Sequence, residues 1–141
     1  MILLDTNVVS ELMRPEPAPQ VASWVRSRDR RELFTSSITL AEIRYGLARL
    51  PDGRRKQVLL DAADDVFQAF SDQVLPVDVT AAEHYAIVAS VRERAGRPIP
   101  GFDALIAGIC RSRGATLATR NVADFDGTGI DIIDPWSRAK G

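Results

Sequence analysis

Four acids, Asp5, Glu42, Asp103 and Asp124, stand at the points where apolar strand-like runs give way to helix starts or loops. Asp5 directly follows the run Ile2-Leu3-Leu4, which places a carboxylate at the end of a buried strand, poorly sited for solvent. Two carboxylates about 4 Å apart repel by roughly 4 kcal/mol at an effective dielectric of 20, so a cluster of them requires a cation or protonation. Oxygen ligands without a supporting His or Cys suit the hard cations Mg²⁺ or Mn²⁺ rather than zinc. Mg²⁺ takes one or two carboxylates and keeps several waters; the remaining acids would then hold those waters or a second ion and activate one water as a nucleophile. That is the chemistry of phosphodiester hydrolysis.

Each acid also has a structural alternative. Thr39-Leu40-Ala41-Glu42 has the form of a capping box, with Glu42 reaching back to a backbone N–H. Asp103 at a helix start would gain roughly 0.3–1 kcal/mol from the helix dipole alone. Asp124 follows Asn121 at a cap-like spacing, and Asp5 could cap the helix that it precedes.

Other chemistries lack their residues. His84, the sole histidine, falls mid-helix with no Ser or Cys nucleophile pattern beside it, which argues for a surface or packing role. Cys110, the sole cysteine, lies on an apolar helical face and reads as an inert core thiol; alone, it also excludes an internal disulfide and any CxxC site. Neither a P-loop nor a GxGxxG turn occurs, so nucleotide cofactors have no phosphate cradle. Acidic pockets that depend on a lysine are disfavoured too, because Lys56 falls in a helix and Lys140 at the terminus.

The elements that must position the acids follow from periodicity. Strands are predicted over Ile2–Leu4, Leu33–Ser36, Val74–Val77, Thr116–Thr119 and Ile130–Ile133, the third made uncertain by Pro76. A helix starts at Asp5-Thr6-Asn7 and a small one spans Val21 to Val25. Another carries Leu40, Ile43, Leu47 and Leu50 and breaks at Pro51-Asp52-Gly53; the next carries Leu59 to Phe70. The capping-box pattern Thr80-Ala81-Ala82-Glu83 opens a helix to about Ala95. Phe102, Leu105, Ile106, Ile109 and Cys110 form one helical face, stopped by Gly114. This alternation predicts an α/β fold with a mostly parallel central sheet and helices on both faces. In such sheets sites lie beyond the carboxyl ends of the strands, which would gather the four acids along one edge.

A length of 141 residues fits a single domain over 1–141, and 45% hydrophobic with 26% charged residues is an ordinary globular composition. Eighteen basic against nineteen acidic residues give a net charge of −1, so any nucleic-acid contact must be local. The clusters Arg26, Arg28, Arg30, Arg31 and Arg54, Arg55, Lys56 read as solvated surface. No apolar run reaches the roughly 18 residues of a membrane span and no basic leader precedes the first strand, so the expected location is the cytoplasm, away from membranes.

With these residues in view the chain resembles the PIN-domain ribonucleases, specifically the VapC-type toxins of type II toxin–antitoxin modules in their FitB-like branch. The resemblance is carried by Leu4-Asp5-Thr6-Asn7, Ile38-Thr39-Leu40-Ala41-Glu42-Ile43 with Gly46, Pro98-Ile99-Pro100 leading to Asp103-Ala104-Leu105-Ile106-Ala107, Thr119-Arg120-Asn121 with Asp124-Phe125, and Pro135-Trp136. It implies that Asp5, Glu42, Asp103 and Asp124 are the catalytic and metal-binding acids, Asp5 and Asp103 foremost, with Mg²⁺ as cofactor and Mn²⁺ as substitute. It makes Thr6, Asn7, Thr119 and Asn121 the polar residues that support them. It further implies an RNA substrate, a homodimer and a cognate antitoxin whose carboxyl-terminal segment lies in a groove near the acids; Leu12, Met13 and Trp24 could line that groove or belong to the core. Two positions depart from the pattern: Phe102 is bulky beside Asp103, and Asp134 stands where Asn is expected. The competing readings are a non-catalytic PIN-like module that binds RNA or protein, and a phosphatase or nuclease acting on DNA by the same chemistry.

Overall fold

The computed structural model describes residues 1–137. Five short strands, β1 (Ile2–Leu4), β2 (Leu33–Ser36), β3 (Val74–Leu75), β4 (Thr116–Ala118) and β5 (Ile132–Ile133), pair in the order β3-β2-β1-β4-β5. Every pairing is parallel, with Leu3 facing Phe34 on one side and Leu117 on the other. Six helices accompany them: α1 (Thr6–Leu12), α2 (Pro19–Arg26), α3 (Ser37–Ala48), α4 (Arg54–Phe70), α5 (Val79–Arg94) and α6 (Gly101–Arg113). The expected α/β fold with a parallel central sheet is therefore observed.

Strand alternation divides the core in two. Leu3 and Leu117 point to the face covered by α5 and α6, where Val88, Ile106 and Ile109 are buried. Ile2 and Leu4 point to the face covered by α1 to α4, against Val8, Val9, Val21 and Ile43. Helices α5 and α6 meet closely at Gly108, where a Cβ would lie 2.7 Å from the Ala81 carbonyl oxygen and 2.9 Å from the Tyr85 nitrogen. Only glycine lets the two backbones approach this far.

Several local expectations shift. β3 stops at Leu75, because Pro76 has no N–H to continue the ladder, and β5 holds only Ile132 and Ile133. Helix α5 starts before Thr80: Asp78, in extended conformation, accepts the Ala81 N–H at 2.9 Å, so the Thr80–Glu83 box does not form. Cys110 is fully buried, its thiol pushed up to about 12 by burial first and then by the charge of Asp5, as an inert core thiol requires. His84 is half-buried on α5, with Nδ1 enclosed, and takes the packing role. Lys56 donates to the carbonyls of Ala48 and Leu50 at the end of α3, and Lys140 lies outside the described residues. Asp134 accepts the Trp136 N–H at 2.9 Å, a turn bond that the expected Asn would make equally.

Candidate active site

The sheet order sets the position of the site. From β1 the chain steps outward to β2 and β3, then returns to the other side of β1 for β4, so the direction of winding reverses between β1 and β4. At such a switch point the loops leaving two adjacent strands diverge and open a crevice at their carboxyl ends. Asp5 leaves β1 and Thr119 leaves β4 at this crevice, and the Thr119 hydroxyl donates to Asp5 Oδ2 at 2.8 Å.

Asp5 is 4% exposed and serves as N-cap of α1, its Oδ1 accepting the Thr6 N–H at 2.8 Å. Asn7 Nδ2 spans Thr119 Oγ1 at 3.2 Å and Asp5 Oδ2 at 3.4 Å, while Asn7 Oδ1 accepts the Arg120 N–H at 3.2 Å. Burial raises the Asp5 carboxyl, and the charge of Asp124 adds to this; the bonds from Thr119 and Thr6 oppose it. The cap interpretation of Asp5 is thus realised on Oδ1, while Oδ2 accepts the Thr119 hydroxyl.

Glu42 is not a capping-box residue. Ser36, at the extended end of β2, caps α3 by accepting the Thr39 N–H at 3.1 Å, one turn earlier than the Thr39 pattern suggests. This leaves Glu42 inside α3, where its Oε1 accepts the Thr6 hydroxyl at 2.8 Å. Thr6 Oγ1 also lies 3.1 Å from Thr39 Oγ1, so a hydroxyl pair from α1 and α3 orients the carboxylate. Thr39, fully buried, is a member of this network that its cap-like spacing concealed.

Asp103 projects from the first turn of α6, where an N-terminal dipole favours negative charge. Its carboxyl is nevertheless raised to about 6, first by burial, then by the charges of Asp5, Glu42 and Asp124; Arg92 pulls in the other direction. Acids from three other chain segments thus stand near enough to Asp103 for their charges to raise it. Asp124 lies in a one-turn 3-10 helix, Val122–Phe125, whose N-cap Asn121 makes no side-chain cap bond. Asn121 supports the site only through its backbone N–H, which donates to Thr119 Oγ1 at 3.1 Å. Phe102 stands half-exposed beside Asp103.

Among the described residues, no three His, Cys, Asp or Glu side chains converge tightly enough to enclose a metal ion. The oxygen-only donors and their mutual repulsion fit a hydrated hard cation, which needs only one or two carboxylates, and not a fully protein-caged one.

The groove residues separate. Leu12 lines an apolar cleft of about 400 Å³ between α1, α2 and α4, rimmed by Arg26, Arg28 and Arg30. Those arginines therefore border an apolar surface rather than forming a purely solvated patch. Met13 lines a second groove of about 280 Å³ that reaches Thr6 and Glu42. Trp24 packs against the core with Arg28 stacked 5.3 Å from its ring centre.

The PIN domain family model matches residues 2–129. The VapC ribonuclease Y4jK of Sinorhizobium fredii is 38% identical over 140 residues, covering 99% of this chain and 100% of that protein. Toxin FitB of Neisseria gonorrhoeae is 36% identical, covering 96% of this chain and 99% of its own length. The solved structure of FitAB bound to an IR36 DNA fragment superposes with a TM-score of 0.91 at 35% identity, covering 99% of this chain and 98% of that one. With a parallel sheet whose switch point holds an acid at the end of β1, and with this likeness along nearly its full length, the chain belongs to the PIN domain family and is homologous to its VapC- and FitB-type ribonuclease toxins.

Proposed function

We propose that this chain is a Mg²⁺-dependent endoribonuclease, the toxin of a type II toxin–antitoxin pair, built as a single PIN domain over residues 1–141. The observation that carries the reading is the buried Asp5 at the β1–β4 switch point, hydrogen-bonded on both oxygens and electrostatically coupled to acids from other segments. Asp5 and Asp103 would hold the ion, with Glu42 and Asp124 completing the site. When bound, the ion supplies Lewis-acid chemistry, polarising a phosphoryl oxygen and acidifying water.

The rest of the work falls to the chain itself. Thr119, Asn7 and the Thr6 N–H fix the orientation of Asp5, so that its carboxylate need not reorganise when charge builds at the scissile phosphate. Thr6 and Thr39 hold Glu42 as a hydrogen-bond acceptor, and in this reading it would receive a proton from an attacking water. The carboxyl of Asp103 is raised by burial and by the charges of Asp5, Glu42 and Asp124, repulsion that a bound cation would relieve.

The partner follows from shape and charge. An apolar segment of a cognate antitoxin would seat in the 400 Å³ cleft, its acidic residues meeting Arg26, Arg28 and Arg30. A basic residue of that partner, most simply Arg, would pair bidentately with the acids where the cation otherwise sits. A homodimer in the cytoplasm completes the proposal, in keeping with the absence of a helix long and apolar enough to cross a membrane among the described residues.

Purified chain freed of antitoxin tests this. RNA cleavage that requires Mg²⁺ or Mn²⁺ and stops with excess chelator is expected. Metal-independent RNA binding without cleavage would assign the chain to the non-catalytic alternative, and cleavage confined to DNA would reassign the substrate.

A further inference from the structure

Arg92, near the end of α5, is the one buried basic side chain among the described residues, at 7% exposure, and no carboxylate among them pairs with it. Its Nε donates to the Arg97 carbonyl at 2.7 Å, and its Nη1 donates to the carbonyls of Asp124 at 2.9 Å and Asp126 at 3.0 Å. Burying a guanidinium against neutral carbonyls is costly, and apolar replacements of buried charges are often neutral or stabilising. The charge of Arg92 reaches Asp103, yet its direct partners are the three carbonyls. Geometry favours an arginine for them, because a planar fork with fixed donors can hold several carbonyls in a set relation.

The carbonyls it holds belong to the segment that carries Asp124. That segment has only one 3-10 turn of regular structure and no side-chain cap. Where the chain leaves it at Gly127, with φ of +75°, a Cβ would lie 3.7 Å from the Arg92 Cδ, so the backbone runs over the arginine stem. Arg97 adds an exposed ion pair to Asp126 at 3.0 Å. Earlier along the same face of α5, Ala81, Tyr85 and Val88 pack against α6, the helix of Asp103. Arg92 therefore stands between the supports of two site acids. We propose that Arg92 is a positioning residue that clamps the Asp124 turn onto α5 and so sets where the Asp124 carboxylate stands relative to Asp103. This rests on the reading of Asp124 as a site acid.

The test measures Mn²⁺ binding by electron paramagnetic resonance on the full chain, alongside kcat and KM for RNA cleavage. Arg92→Met should weaken Mn²⁺ binding by about tenfold, the scale seen when a residue that orients a ligand is lost, and lower kcat with KM little changed. Arg92→Lys, which keeps stem and charge but not the fork, should lose less and serves if Arg92→Met does not fold. Val88→Ala, one turn earlier in α5 and fully buried in the wild type, should lower the melting temperature without altering Mn²⁺ binding. In an Asp124→Asn background the Arg92 substitutions should add no further loss, because the clamp then has nothing to position. Equal effects of the Arg92 and Val88 variants on Mn²⁺ binding, or Arg92 losses that add fully to those of Asp124→Asn, overturn the inference and leave the metal-site reading intact. Unchanged Mn²⁺ binding in Asp124→Asn itself refutes the assignment of Asp124 and the inference with it.

Discussion

Asp103→Asn is expected to stabilise the metal-free protein while it destroys cleavage. Ionising a carboxyl held at about 6 instead of the usual 3.8 costs the folded chain about 3 kcal/mol at neutral pH. The group is half-buried, and solvent screening on its open side reduces this to roughly 1.5 kcal/mol. Asparagine also gives up roughly 0.3–1 kcal/mol of favourable charge–dipole interaction in the first turn of α6. The net gain is then about 1 kcal/mol, or roughly 3–5 °C in melting temperature for a chain of this length. The pH dependence has a definite sign. Because the folded carboxyl binds its proton more tightly than the unfolded one, the Asp103 contribution to wild-type stability is greatest below about pH 4 and falls as pH rises through about 6. The variant lacks this decline, so the difference between them should be small near pH 4 and full above pH 7. Thermal melts in excess chelator across this range measure it. Adding Mg²⁺ should raise the wild-type melting temperature and leave the variant nearly unmoved. A variant no more stable than wild type at pH 8 in chelator, or a gap unchanged between pH 4 and pH 8, would refute the reasoning.

Four further substitutions have definite expected outcomes. Asp5→Asn should abolish cleavage and growth inhibition with the fold retained, whereas Asp124→Asn, on its single turn, should be the mildest of the acid substitutions; activity assays with circular dichroism separate the two effects. Glu42→Gln keeps an acceptor for the Thr6 hydroxyl, so its melting temperature should stay within about 2 °C of wild type while cleavage is lost, and retained cleavage would remove Glu42 from the site. Gly108→Ala drives a methyl into the backbone of α5 and should cost about 1–3 kcal/mol, read as a fall of several degrees in a thermal melt.

The sheet and its helices were legible because their signals are local and repeated. Ile2, Leu3 and Leu4 alternate between two cores, and the apolar face of α6 recurs at helical spacing and ends at Gly114 in a left-handed cap. The rule that sites in parallel sheets lie beyond the carboxyl ends of the strands then placed Asp5 at the edge where it stands. Caps were harder, because several residues near one another can each serve. Ser36 and Thr39 both offer a hydroxyl to a backbone N–H three residues on, and only the extended conformation at the end of β2 decides for Ser36. The same ambiguity put the start of α5 at Thr80 when Asp78 already fills the role. Side-chain partners distant in sequence left no trace at all. Nothing near Arg92 signals that its donors reach Asp124 and Asp126, 32 and 34 residues away, and nothing near Thr6 signals that its hydroxyl orients Glu42 from another helix. Residue type and strand position thus locate the acids, while the groups that aim them are fixed by tertiary packing. The acids also place repulsion inside the fold, since Asp103 is raised by burial and by its three neighbours together. A chain selected for stability alone would put an amide there, so a gain measured for Asp103→Asn would speak for a functional demand at this position rather than a folding one.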